Sequence, residues 1–571
     1  MPVFFNGQLL VTPAVASQIN DSAMLNPNLS VGNVAAYIGA STGGEPNTIL
    51  KFGSGDEARA ALVSGDLVDA ITRAFDPSSE TTGPSKVVAI RVNPAVQAAL
   101  VLKDASGNSV IDLMSADYGQ RTNQIKVKVE AGSTQGLKVT TQLANAYYSQ
   151  DNIYRAAFSI QYAGAQASAT MAVGNSQVVL SAPAGTVVST IPLSTYPTVQ
   201  QLVDFINTVP GFGASVLGGN GLTAALNGLD TVTNQDVKTA LYTATATLQA
   251  VADWINGQGQ GFVTAVRVAG AGTLPALLPF TYLSGGSDGV ITNTNWSNAF
   301  LALQNADVQW VTALSTDPSV VAMCDAHEQF MSGAPGMERR AINGTALGTT
   351  DAQAIAQAQG LNSNRTGLVH LGCYDFDDDG DLTLYPPFIT AAMIAGAFSG
   401  VTPGVSMTNK SLKVQGFERP LRVPTDTDAL IQGGVIPVAE QKSGFKVIQS
   451  ISTWLNDRKY DKVELSVGAA LDFTARNWRD AVEPLKGAPG NPATLSQAVS
   501  LSETCLMQLA KPAPLGPGVL VGDATNPPFK NITATLQGDV IAISAQVSPV
   551  IPANYVTITI FAVPYSGSAS A

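Results

Sequence analysis

Near the C-terminus two stretches alternate strictly. Val540 to Val547 places Ile541, Ile543, Ala545 and Val547 on one face, and Tyr555 to Val563 sets Val556, Ile558 and Ile560 opposite Thr557 and Thr559. A period of two built from β-branched residues predicts strands. At the other end, Val3 to Phe5 and Gln8 to Thr12 read as extended, separated by the turn pair Asn6-Gly7.

Between the ends the pattern changes twice. Val34 to Gly39 is an apolar strand, Asp66 to Phe75 spaces Leu67, Ile71, Ala74 and Phe75 as a helix, and Val87 to Val92 is a buried-type strand. From about Leu100 to Ser284 short strands with turns dominate, among them Ile125–Val129 and Ser176–Leu180, interrupted by a helix-like patch over Thr239–Trp254. After Gly285-Gly286-Ser287-Asp288-Gly289 the α/β rhythm resumes. Strands are expected at Val308–Leu314, Arg340–Asn343 and Leu368–Leu371. Helices are expected after the cap Asp317-Pro318 and over Asp351–Gln359, Phe388–Phe398, Asp472–Ala481 and Ser496–Leu509.

This predicts a multidomain protein of α/β and β parts. A discontinuous α/β core domain (21–96 and 291–445) is split by an inserted β-rich domain (97–290). An N-terminal arm (1–20) precedes it, and a C-terminal α+β domain (446–547) and a C-terminal arm (548–571) follow. The length of 571 residues fits about four domains.

Charge sharpens the reading of the ends. Only 13% of residues are charged, and residues 1–20, 156–203 and 540–571 carry no charged side chain. A terminal strand without charge is an aggregation hazard unless it is paired. Such strands pair inside their own domain or add to another subunit's sheet. In the second case Val3, Phe5, Leu9 and Val11, with Val556, Ile558 and Ile560, form the subunit interface. A net charge of −12 with no long basic cluster argues against a nucleic-acid partner. No stretch approaches the roughly 20 apolar residues of a membrane span, and no signal peptide is expected. Three cysteines give no disulfide framework and read as free thiols of a reducing compartment.

Catalytic chemistry finds little support. Any Ser-His-Asp triad must use His327, on an apolar helix face, or His370, inside an apolar strand. The Gly-x-Ser-x-Gly strings around Ser41 and Ser287 lack the strand–Ser–helix context of a nucleophile elbow. Cys324-x-x-His327 and His370-x-x-Cys373 suggest zinc, but a strand turns i and i+3 to opposite faces. Asp375, Asp377, Asp379 and Asp381 begin like a calcium loop, yet Pro386 stands where the bidentate glutamate belongs, so a solvated turn is expected. No cofactor and no metal are expected, and the chain reads as an assembly protein with strand-donating ends.

The stretch from Leu384 to Trp454 raises the level of the claim. Leu384-Tyr385-Pro386-Pro387, Ala391-Ala392-Met393-Ile394-Ala395-Gly396, Ser406-Met407-Thr408-Asn409-Lys410, Leu430-Ile431-Gln432-Gly433-Gly434-Val435 and Ser450-Ile451-Ser452-Thr453-Trp454 follow in order. Together they resemble the contractile tail sheath proteins of myophages. Ala341-Ile342-Asn343-Gly344, Asn364-Arg365, Tyr37-Ile38-Gly39, Gly43-Gly44-Glu45-Pro46-Asn47, Arg91 and Leu283 to Gly289 are similar to the same family.

The resemblance implies an α/β core of subtilisin-like fold without protease chemistry. It implies hexameric rings stacked around an inner tail tube, with arms completing a small sheet in neighbouring subunits. It implies tail tube, baseplate and tail terminator proteins as partners, assembly in the host cytoplasm and a place in the virion. The family attaches to the tube through its C-terminal domain, which makes Arg476 and Arg479 candidate tube-facing residues. Residues 12–21 and 548–554, with Pro13, Pro549 and Pro552, are candidate hinges. Two other readings compete: the sheath of a phage-derived contractile injection device, which is tailocin-like, and an α/β hydrolase.

Overall fold

Val34–Gly39 (β1) is buried on both faces, and that requirement organises the central layer. In this computed structural model, which describes residues 3–5, 8–10, 34–258, 261–565 and 567, β1 joins five more strands. They are Leu50–Phe52 (β2), Lys86–Arg91 (β3), Trp310–Ala313 (β4), Arg340–Gly344 (β5) and Thr366–Val369 (β6). The order is β6-β5-β4-β1-β3-β2. β1 runs parallel to β3 and β4, β4 to β5, and β5 to β6, whereas the edge strand β2 is antiparallel to β3. Parallel strands covered on both faces need continuous apolar sequence, which these have. Ala35, Tyr37, Val87, Ala89, Trp310 and Ile342 enter one core, and Ala36, Ile38, Val88, Ile90, Val311 and Ala341 the other.

Helices fill both sides. Gly55–Leu62 (α1), Asp66–Phe75 (α2) and Pro387–Ser399 (α6) serve the first core. Asn293–Leu303 (α3) and Pro318–Ser332 (α4) serve the second, and Asp351–Leu361 (α5) adds Ala354 and Ala358 to the first. Asp317 caps α4 by accepting the Ser319 N–H at 2.8 Å, with Pro318 in the first turn. All 13 residues of α6 are buried. Its uniformly apolar, small-residue sequence allows this: a Cβ on Gly396 would lie 2.5 Å from the Ala74 carbonyl of α2. The Tyr37 hydroxyl donates to the Ala392 carbonyl at 3.0 Å, and Phe398 stacks on Trp310 at 4.3 Å.

The chain leaves this layer after β3 and returns before α3. Arg91, fully buried, fastens the two crossings: its guanidinium donates to Asp288 at 3.0 Å and to the Gly44 carbonyl at 2.8 Å. Val96 bridges Ser287, and Ala99 bridges Ser284. The intervening segment is antiparallel throughout and holds two cores. In one, Ile111, Val127, Val139 and Val251 meet, and in the other Phe158, Met171, Leu180 and Leu202. The charge-free tract 156–203 supplies much of the second.

Two local expectations need correction here. Thr239–Trp254 is a strand, Tyr242–Thr245, followed by a helix, Thr247–Asn256. The break is made from a distance: Asp230 accepts the Thr247 and Leu248 N–H groups at 2.7 and 3.0 Å and so starts the helix. Val199–Ile206, within the β-rich tract, is helical. Its signal was the capping box Thr198-x-x-Gln201, present with both reciprocal bonds.

Leu465–Val482 (α7) and Pro492–Ala510 (α8) pack together, followed by the hairpin Phe529–Gln537 (β7) and Val540–Val547 (β8). Ala470, Phe473, Leu506 and Leu509 form the core beneath Phe529, Ile532, Ala545 and Val547. α7 begins seven residues before its expected start at Asp472, because Leu465 and Val467 are buried. At the N-terminus Val3–Phe5 pairs antiparallel with Gln8–Leu10, Phe4 opposite Leu9; Val11 and the hinge candidate 12–21 lie outside the described residues. Cys324, Cys373 and Cys505 are free and buried, and burial pushes the thiols of Cys373 and Cys505 up to about 11.

Candidate subunit interface

Ser41 and both histidines are engaged by the fold. The Ser41 hydroxyl donates to the Gly43 carbonyl at 2.8 Å, and Asn93 braces the Ser41 backbone. His327 Nε2 lies 3.0 Å from Arg339 Nη1; burial, with that guanidinium beside it, pushes the imidazole down to about 3. His327 is therefore a neutral acceptor for a buried arginine. His370 Nε2 lies 2.9 Å from Asp351 Oδ1, a carboxylate that Arg419 also holds, and burial lowers its pKa.

The acidic run 375–381 closes a hairpin. Asp377 accepts the N–H groups of Asp379 and Asp381 at 3.1 and 2.9 Å and the Thr383 hydroxyl at 3.0 Å. Asp375 pairs with Arg73, and Asp378 with Arg59, which pins the turn to α2 and α1. Asp375 is thus directed to an arginine rather than to a shared centre with Asp377, Asp379 and Asp381. Among the described residues no cluster of three or more His, Cys, Asp or Glu side chains is placed to hold a metal ion.

Arg476 and Arg479 lie one turn apart on α7, but only one faces outward. Arg476 is buried: Nη1 donates to Asp307 at 2.6 Å, Nη2 to the Glu338 carbonyl, and Nε lies 3.5 Å from Glu338 Oε2. Its expected place on an outer face is corrected to a bolt between α7 and the edge of the α/β layer. Arg340 and Arg365 reinforce it by sharing Asp472 of α7 at 2.8 and 3.1 Å. The half-exposed Arg479 pairs with Glu338 and donates to the Gly336 carbonyl at 2.6 Å. Asp307 and Glu338 lie more than 130 positions from Arg476 and Arg479 in sequence, so no local pattern could reveal this.

The exposed apolar surface is concentrated at the C-terminus. Tyr555, Val556, Ile558, Ile560, Phe561, Val563 and Tyr565 are each more than four-fifths exposed. Burying a side chain of this size is worth about 1.5–3 kcal/mol, so covering the segment is strongly favoured. Its root is fixed. Val521 N–H donates to the Ser548 carbonyl at 2.9 Å and Val550 N–H to the Val519 carbonyl at 3.0 Å. Asn554 Nδ2 donates to Glu464 Oε1 at 2.7 Å. The hinge candidate 548–554 is therefore held by hydrogen bonds, and from Tyr555 onward the tail has no ladder partner among the described residues. Beside the hairpin, a groove of about 620 Å³ is lined by Val482 and Leu485 below and by Leu536, Ile541 and Ile543 above. Sequence reasoning did not identify this groove, since its walls come from separate elements.

No protein-family model matches the chain. It is 27% identical to the tail sheath protein of Bacillus phage SP01 over 590 aligned residues, covering 99% of this chain and 98% of that protein. It is 27% identical to the putative tail sheath protein of Enterococcus phage phiEF24C over 571 residues, 96% of each chain. The fold matches the crystal structure of a sheath tail protein from Desulfitobacterium hafniense with a TM-score of 0.56 at 15% identity, over 94% of this chain and 97% of that one. A sheath tail protein from Listeria innocua matches with a TM-score of 0.57 at 13% identity, over 91% and 92%.

Proposed function

We propose that this chain, similar to phage tail sheath proteins along almost its whole length, is the structural subunit of a contractile tail sheath. It is a virion component and not an enzyme. The observation that carries this reading is the full-length similarity, 99% of this chain against 98% of a tail sheath protein.

Subunits form hexameric rings stacked around the tail tube, assembled in the host cytoplasm with baseplate and terminator proteins at the two ends. The α/β layer (21–96 and 291–445) is a subtilisin-like scaffold, and the insertion (97–290) is a separate domain. The C-terminal domain (446–547) faces the tube, with Arg479 as the accessible arginine of α7. The arms 1–20 and 548–571 donate strands to neighbouring subunits through Val3, Phe5, Leu9, Val11, Val556, Ile558 and Ile560. The exposure of the last three supports this, because an isolated extended segment has no ladder partner of its own.

Main-chain ladders suit a contracting mesh. They keep subunits joined while rings slide and rotate, and the contracted state is favoured only by contacts it makes better than the extended one. The test is negative-stain electron microscopy of the purified full-length chain, alone and co-expressed with its tube protein. Hollow helical tubes in either sample are expected. Their absence from both, with folded protein present, overturns the reading.

A further inference from the structure

We infer that the inserted segment carries a saccharide-binding platform. The outer face of its sheet, bordered by Tyr147, Phe280 and Tyr282 and centred on Lys126 and Lys128, takes a polysaccharide chain bearing acid groups. The site is independent of the strand-donating ends and of tube formation.

Four antiparallel strands form this sheet, in the order Ala146–Ile153, Leu137–Leu143, Lys126–Ala131 and Leu278–Tyr282. One face is core, where Val127, Val129 and Val139 are buried. The period of two therefore turns Lys126, Lys128, Thr140 and Gln142 outward. Register sets the outward side chains in rows. Tyr282, Lys126, Gln142 and Tyr147 stand opposite one another across all four strands, and Lys128, Thr140 and Ser149 form the next row. Tyr147 and Tyr282 are thus three strand spacings apart, about 14 Å. The Phe280 ring lies between, its centroid 5.0 Å from Lys126 Nζ and 5.5 Å from Lys128 Nζ. Tyr147, Tyr282 and Phe280 are 67%, 54% and 43% exposed.

These side chains match one class of ligand. A sugar ring offers an apolar C–H face to an aromatic ring and hydroxyls around its rim. Here exposed rings stand at both ends of a row, with an amide and an ammonium between them and two hydroxyls beside them; Thr140 and Ser149 share a 2.8 Å hydrogen bond. Charge selects within the class. Lys128 pairs with Glu130 at 2.7 Å, but among the described residues no carboxylate pairs with Lys126. The two rows that carry the rings thus hold two lysines and no acid. The chain as a whole is at −12, yet salt screens that charge beyond about 8 Å, so the lysines set the local sign. A protein partner fits less well, because protein interfaces deplete lysine at their centre. Two lysines are also too few for a nucleic-acid backbone.

The test is binding of the purified full-length chain to immobilised polygalacturonate. Dextran serves as a neutral polysaccharide and polyglutamate as a polyanion without sugar rings. Saturable binding to polygalacturonate is expected, about tenfold tighter than to either control. Tyr147→Ala and Tyr282→Ala should each weaken it about three- to tenfold. Lys126→Gln combined with Lys128→Gln should remove the preference over dextran. Tyr460→Ala, at an exposed tyrosine outside the inserted segment, should leave binding unchanged.

No saturable binding to polygalacturonate, or equal binding to polyglutamate or to dextran, overturns the assignment. So does full affinity in a chain carrying both Tyr147→Ala and Tyr282→Ala. Nitration of the unmodified chain with tetranitromethane gives a second readout should a variant fail to fold. Polygalacturonate should slow modification of Tyr147 and Tyr282, read by mass spectrometry, and leave that of Tyr460 unchanged. Equal rates at Tyr147 and Tyr282 with and without the polysaccharide also overturn it.

Discussion

Asn554 Nδ2 donates to Glu464 Oε1 at 2.7 Å, joining the root of the C-terminal tail to the residue that precedes α7. Gln449 Nε2 donates to the same oxygen at 2.7 Å, so one buried carboxyl gathers the root of the tail, the segment around Gln449 and the start of α7. Removing the Asn554 amide leaves Glu464 with one donor fewer. Asn554→Ala should cost about 1–2 kcal/mol of stability. It should also speed hydrogen exchange at the Val550 amide, while exchange in α2 stays unchanged.

The tail itself should be dispensable for folding. Tyr555 to Tyr565 is exposed and contributes nothing to the cores. A chain ending at Asn554 should keep its circular dichroism spectrum and thermal midpoint to within a few degrees. It should lose the tube formation expected of the full-length chain. Normal tubes from the shortened chain, seen by electron microscopy, would remove the tail from the interface.

Arg476 and Arg479 should separate sharply in denaturant unfolding. Arg476→Ala leaves the buried Glu338 with one guanidinium fewer and frees Asp307, which should cost about 3 kcal/mol, the low end for breaking a buried pair. Arg479→Ala removes a half-exposed partner and should cost under about 1 kcal/mol. If Arg479 faces the tube, its replacement should weaken co-purification with the tube protein without lowering the midpoint.

Glu328 predicts a pH dependence. It is fully buried on α4 with no hydrogen-bond partner at either carboxyl oxygen among the described residues, and burial pushes it up to about 8 from the usual 4.5. Between those values the folded chain holds a proton that the unfolded chain releases. Stability from this group is therefore complete below pH 4.5 and is lost as pH rises through 8, by about 1.4 kcal/mol per unit within the window. Glu328→Gln should raise the thermal midpoint at pH 8.5 relative to the parent and narrow the gap at pH 5. An unchanged pH profile would refute the assignment.

The sequence by itself determined whatever depends on near neighbours along the chain. The apolar run Val34–Gly39, the 3.6 period of Asp66–Phe75, the cap Asp317-Pro318 and the alternation Val540–Val547 became elements with those bounds, because backbone geometry repeats every few residues. The family resemblance was equally legible, carried by motifs in order. The tertiary structure decided the rest. Asp230 starts a helix 17 residues away, Glu338 and Asp307 draw Arg476 inward, and Arg91 closes the insertion against Asp288. The same holds for the tail: Tyr555 to Val563 has the period of a strand, but a strand needs a ladder partner, and the described residues of one chain supply none. Side-chain period is a local property, whereas partners are chosen by folding and, for this tail, by assembly.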